Sequence, residues 1–178
     1  TNGESQVYAD PTIMVDFETQ DQLPAIDIVK YIKCFNNIPD AGSICSIEIF
    51  ADIPVDSDPN KIFDFNSGSP GHAFIQIKKS NNSQSVIQNI GFYPKVGWKP
   101  AVTNAPIEGK FVDNSGHEFN ASFKMNLSPQ NFNSVLNEIL YLGNFVNYDI
   151  DNYNCSDFAL DVFNTTRRER FVIPMIHI

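Results

Sequence analysis

The chain has 178 residues, 42% of them hydrophobic and 19% charged, which suits one globular domain with a core, or one domain with a modest extension, and excludes a disordered chain. A formal net charge of -9 and a pI near 4.6 exclude nucleic acid and anionic membrane surfaces as main partners, because both demand a positive face. No apolar run approaches the ~18 residues of a spanning helix, so no integral membrane segment is expected.

The start, TNGESQVYADP, is polar and lacks Met. A trimmed export product is the expectation, with a secreted, periplasmic or cell-surface location. TIMVDFET alternates like a strand, with Ile13, Val15 and Phe17 on one side. PAIDIVKYIKCFNNI sets Ile28, Val29, Ile32 and Phe35 near helical spacing but keeps a β-branched bias, so its type stays open. SICSIEIFADI reads as a strand, and PVDSDPNKIFDFNSGSPG as loop. Residues 1–66 are therefore expected to form a β-rich extension or subdomain, and 67–178 the main domain.

HAFIQIKK and SVIQNIGFYP read as two strands joined by the polar turn SNNSQ, a hairpin whose first residue is His72. KVGWKPAVTNAPIE is a long irregular connection of the kind that lines sites. KFVDNSGHEFNASFKMNL reads as two strands about a DNSG turn, with Phe119, Ala121, Phe123 and Met125 on one face. SPQNFNSVLNEILYLGN is the strongest helix. Ser128 caps it, Pro129 suits its first position, and Gly143 is placed to end it. The basic run Arg167, Arg168 and Arg170 fits a solvated helix end.

In NYNCSDFALDVFN, a helix starting at Cys155 carries Phe158, Ala159, Val162 and Phe163 on one apolar stripe with the cysteine. The thiol is thereby aimed at the sheet, in a first turn whose N–H groups favour a thiolate. Local pattern alone reads equally as a cysteine that fills a core.

GHAF at a strand start, a hairpin, and then the N-C-x-x-F helix start of NYNCSDF resemble the circularly permuted branch of the NlpC/P60 (papain-like) cysteine hydrolases, akin to lecithin:retinol acyltransferase-like, YiiX-like and PPPDE proteins. The resemblance spans Gly71 to Asn164. It implies an α+β fold in which an antiparallel sheet packs on the cysteine helix. It implies a thiol hydrolase in which Cys155 attacks an amide of a peptide or peptidoglycan fragment and His72 is the general base. The Cys155 N–H would serve as one oxyanion donor. Acyl-lipid ester chemistry, or a catalytically silent binding module, are the alternatives. The imidazole's orienting partner is expected on the next strand, where a three-residue turn selects Gln88 and a two-residue turn Asn89; His117 is the rival. Tyr93, Tyr148 and Tyr153 are candidate substrate contacts.

No cofactor is implied. Three scattered histidines without C-x-x-C spacing do not make a metal site, and Asp149 with Asp151 lacks the rest of a calcium loop. Cys34 and Cys45, across NNIPDAG, are either a disulfide or two core thiols.

Overall fold

The computed structural model describes residues 3–7, 23–61, 64, 70–82, 84–95, 106–145 and 147–167. The expected strand around Ile13, the loop around Trp98, and Arg168, Arg170 and His177 lie outside these residues. The elements are β1 (Gly3–Val7), α1 (Ile28–Lys33) continued by a 3-10 turn (Cys34–Asn37), β2 (Ile44–Asp52), β3 (His72–Asn81), β4 (Gln84–Pro94), β5 (Ile107–Asp113), β6 (Ala121–Leu127), α2 (Pro129–Phe145), β7 (Asn147–Tyr148) and α3 (Cys155–Asn164). The protein is α+β. Six strands form an antiparallel sheet ordered β1-β6-β2-β3-β4-β5, and the two residues of β7 pair with the free edge of β5.

Alternation divides the sheet into two faces. One carries Ile47, Ile49, Ala73, Ile75, Ile77, Ile90 and Phe92, which join Ile32, Phe132, Val135, Phe158, Val162 and Phe163 of the helices in one buried cluster. The other is aromatic near its upper end. Phe50 stacks on Phe74 at 4.7 Å and meets Phe119 edge-on at 4.7 Å.

The segment whose type the sequence left open is helical, capped by Asp27, whose carboxylate accepts the Lys30 N–H at 3.1 Å. Its apolar residues reach the helix-face core through Ile28 and Ile32. Ser128 caps α2 by accepting the Asn131 N–H at 3.2 Å. Gly143 does not end that helix, which runs to Phe145. Its missing Cβ instead leaves room for Ile28, whose Cγ2 would lie 3.0 Å from it.

Strand β2 lies between β6 and β3 and pairs with both. One further expectation is corrected, since strands β5 and β6 do not form a hairpin. β5 pairs with β4, whereas β6 pairs with β2 and β1. The segment 114–120 joining them is therefore a strap across the aromatic face. Asn114 N–H donates to Asn89 O of β4, the His117 ring lies over Phe74 of β3, and Asn120 N–H donates to Ala51 O of β2.

Candidate active site

β3 and β4 are joined by a two-residue turn after Asn81, in which Asn82 takes the left-handed conformation (φ 50°) that asparagine tolerates. That turn length sets the register. Gln76 faces Asn89 and Phe74 faces Gly91. There the pairing stops, although both strands continue. The last residues of each keep only their outer partners: His72 stays with Asp52 of β2, and Pro94 with Gly109 of β5. The sheet is split at the start of β3.

α3 begins at this split. Asn154 caps it with its side chain accepting the Ser156 N–H at 2.8 Å, while the Asp157 carboxylate accepts the Asn154 N–H at 2.9 Å. The apolar stripe then faces the core, with Phe158, Ala159, Val162 and Phe163 fully buried. Cys155 is seated at the split itself, with the Ala73 backbone, just beyond the last β3–β4 pair, and Ser156 as its polar neighbours.

His72 immediately precedes Ala73, so alternation sends its ring to the opposite face. Its ring lies 4.4 Å from Tyr93, 5.0 Å from His117 and 6.1 Å from Phe74, with the Asn114 carboxamide as its polar neighbour. The imidazole thus lies on the face of β3 opposite the helix-side core. The polar groups that act on the sulfur are the Ala73 backbone, Ser156 and Asp157.

Burial sets the charge states. It holds the Cys155 thiol above its ordinary value, outweighing the Ala73 backbone, which acts the other way. It holds the His72 imidazole well below its ordinary value, with His117 pushing the same way and Asn114 opposing. His117 is lowered by burial too. Its Nδ1 lies 2.8 Å from the Glu118 carbonyl oxygen, which only accepts, so the ring proton resides on Nδ1. On the rim, burial pushes Asp52 up to about 8, and the charges of Glu118 and Asp56 add to the rise.

Other predicted residues take different places. Gln88 sits opposite Ile77 on the helix face and donates to Tyr31 O at 2.9 Å and to Cys34 Sγ at 3.0 Å, so it does not orient His72. The two-residue turn is the reason. Asn89 has the correct face but sits lower on the strand, where it accepts from Gln76 at 2.9 Å and donates to Ser115 at 3.1 Å. Tyr148 is core, 5.5 Å from Phe92 on the helix face. Tyr153 packs against the same cluster, 6.1 Å from Phe92. Tyr93 does adjoin His72, but it is fully buried and accepts a hydrogen bond from Asn114 Nδ2 at 2.8 Å, which makes it part of the support rather than a surface.

Cys34 and Cys45 are free thiols, the first held by Tyr31 O and Gln88, the second near Ser43 Oγ at 3.6 Å. Asp149 accepts from the N–H groups of Asp151 and Asn152 and from the Asn152 side chain, which shapes the loop before α3. Among the described residues, no group of three or more His, Cys, Asp or Glu is placed to hold a metal ion, and no helix is long and apolar enough to cross a membrane.

Sequence reasoning missed Asn114 and Asp52. The signal for Asn114 was Gly91, a glycine inside a strand, which marks a close approach by other atoms. Compared with known proteins, the chain matches no family model, no curated protein and no solved structure.

Proposed function

We propose that the protein is a thiol hydrolase of permuted papain-like type that opens amide bonds through an acyl-enzyme on Cys155, with His72 carrying the proton. One observation carries the reading. The Cys155 thiol, in the first turn of α3, lies beside the Ala73 backbone just beyond the last β3–β4 pair. A core-filling cysteine needs no such break in a ladder.

The chemistry begins from neutral partners. In this reading the sulfur forms a C–S bond with an acyl carbon as the thiol loses its proton, and His72, whose ring rests on the other face of β3, has to turn toward the split to take that proton. The carbonyl oxygen becomes an oxyanion, beside the Cys155 N–H at the positive end of α3. The imidazolium returns its proton to the departing amine as the C–N bond breaks. Water, deprotonated by the same imidazole, then cleaves the thioester and releases the acid. General-base transfer at the moment of attack replaces a standing thiolate, in keeping with the buried, neutral resting pair. The substrate class is a peptide or peptidoglycan fragment, with an acyl-lipid ester as the competing acyl donor.

A second reading is a catalytically silent binding module. The upward shift of the Cys155 thiol favours it, because a buried neutral thiol is a poor nucleophile. Intact-mass measurement decides between the two. The native chain, offered short peptide amides and lipid esters separately, is expected to gain one acyl group on Cys155 from the peptide pool. Gain from the lipid pool alone would reassign the substrate. Labelling confined to the denatured chain would select the silent module.

A further inference from the structure

We propose that the groove between α1 and α2 binds a single-chain aliphatic carboxylate, its tail on the apolar half of the groove and its head at Lys33. The proposal does not rest on the thiol hydrolase reading.

Two contacts shape the groove. At one end Ile28 of α1 fits the space left by Gly143 of α2, and at the other the Phe35 ring meets Phe132 edge-on at 5.1 Å. The helices are therefore antiparallel and joined along their core-facing edges. From Phe132 to Gly143 α2 advances about 16 Å at the helical rise. Between these contacts the outer edges stay apart, leaving a cavity of about 420 Å³, a size that suits a small molecule.

Each side gives the groove one stripe at i, i+3, i+4 and i+7. α1 and its 3-10 turn supply Val29, Ile32, Lys33 and Asn36, and α2 supplies Asn133, Leu136, Asn137 and Leu140. The antiparallel order matches the two stripes. Val29 and Ile32 fall beside Leu140 and Leu136, whereas Lys33 and Asn36 fall beside Asn137 and Asn133. One half is apolar, and the other carries an ammonium and three carboxamides. Val29 is 53% exposed, so the apolar half is open to an incoming chain.

Charge decides the head group. Lys33 is the one charged residue of the groove, and the ion pairs among the described residues leave it out. The charges on either side of it in the chain are already balanced. Lys30 pairs with Asp27 at 3.2 Å, and Asp40 pairs with Lys79 at 2.6 Å while accepting Asn133 Nδ2 at 3.0 Å. In a chain of net charge -9 this half of the groove is a local positive site, where a carboxylate meets the ammonium and the exposed carboxamides of Asn36 and Asn137. The tail follows from the other half. Its side chains offer no hydrogen-bonding group, which suits an alkyl chain and leaves a peptide backbone without partners.

The test is NMR of the full chain titrated with decanoate below its micelle concentration, with acetate, decylammonium and a short peptide bearing a free C-terminal carboxylate as comparisons. Decanoate is expected to shift the signals of Lys33, Asn36 and Asn137 saturably, and the three comparison compounds to leave them nearly unmoved. Lys33→Gln is expected to weaken decanoate about three- to fivefold and to remove most of the salt dependence of binding. Val29→Gln, at an exposed position that the fold tolerates, is expected to weaken it about five- to tenfold. Decylammonium or acetate shifting the same signals as strongly, or the peptide binding more tightly than decanoate, would overturn the proposal. So would decanoate shifts centred outside the groove, or either variant binding decanoate as the wild type does.

Discussion

Phe158→Ala is expected to destabilise the protein by about 3–5 kcal/mol, enough to lower its thermal midpoint by many degrees or to leave it largely unfolded. Phe158 is fully buried and is the second residue of the α3 stripe. Its ring lies 5.0 Å from Phe111 of β5 and 5.8 Å from Phe92 of β4. These contacts hold the start of α3 against β4 and β5. Truncation removes a whole ring from a cluster of neighbouring aromatics that relax only partly into the void. Urea melts of the variant and wild type check the figure. A loss below about 1 kcal/mol would mean that α3 is not held by this face.

The second large effect is a fall in stability as pH rises from 6.5 to 8. Asp52 has a folded pKa near 8, raised by burial and then by Glu118 and Asp56. Over this interval the native state keeps a proton that the unfolded chain has already released, so stability falls with rising pH until the folded value is passed. Glu118, raised by burial and by Asp56, contributes in the same direction. The imidazoles act in the opposite sense and in another window. His72 and His117 stay neutral when folded, whereas the unfolded chain takes up protons below the ordinary histidine value. Their contribution is complete above about pH 6.5 and is lost as pH falls below it. Thermal midpoints from pH 5 to pH 8.5 should therefore decline above 6.5, and Asp52→Asn should flatten that decline and steepen the rise on the acid side, where the Asp52 proton opposes the histidines. An Asp52→Asn variant with the wild-type slope above pH 6.5 would contradict the assigned origin.

The parts of the molecule legible in the sequence are those decided by neighbours along the chain. The apolar stripe from Cys155 to Phe163 is a local period, and α3 buries that stripe. The hairpin starting at His72 is likewise local, signalled by two alternating runs and a polar turn. Its inner detail was not legible, because Ser80, Asn81, Asn82, Ser83 and Gln84 suit a loop of two residues or three. One residue of slip turns every side chain of β4 to the other face. That single ambiguity exchanged Gln88 for Asn89 on the His72 face. Strand order was hidden for a different reason. Asp113, Asn114, Ser115 and Gly116 have the composition of a hairpin turn, yet they open a strap that crosses to the other side of the sheet. Turn chemistry fixes only a few dihedral angles, whereas the destination of β6 depends on the long-range fit of Met125 and Phe123 to the helix-face core. The approach of Asn114 and His117 to His72 follows from that crossing, and no spacing along the chain encodes it.

The rate at which an acyl reagent modifies Cys155 in the native chain, compared between wild type and His72→Ala at pH 7, tests the central claim most directly. If the imidazole draws the thiol proton through the split, the variant should react roughly 10²–10⁴ times more slowly, with its fold intact by circular dichroism. Equal rates in the two chains would mean that the sulfur and the ring do no chemistry together.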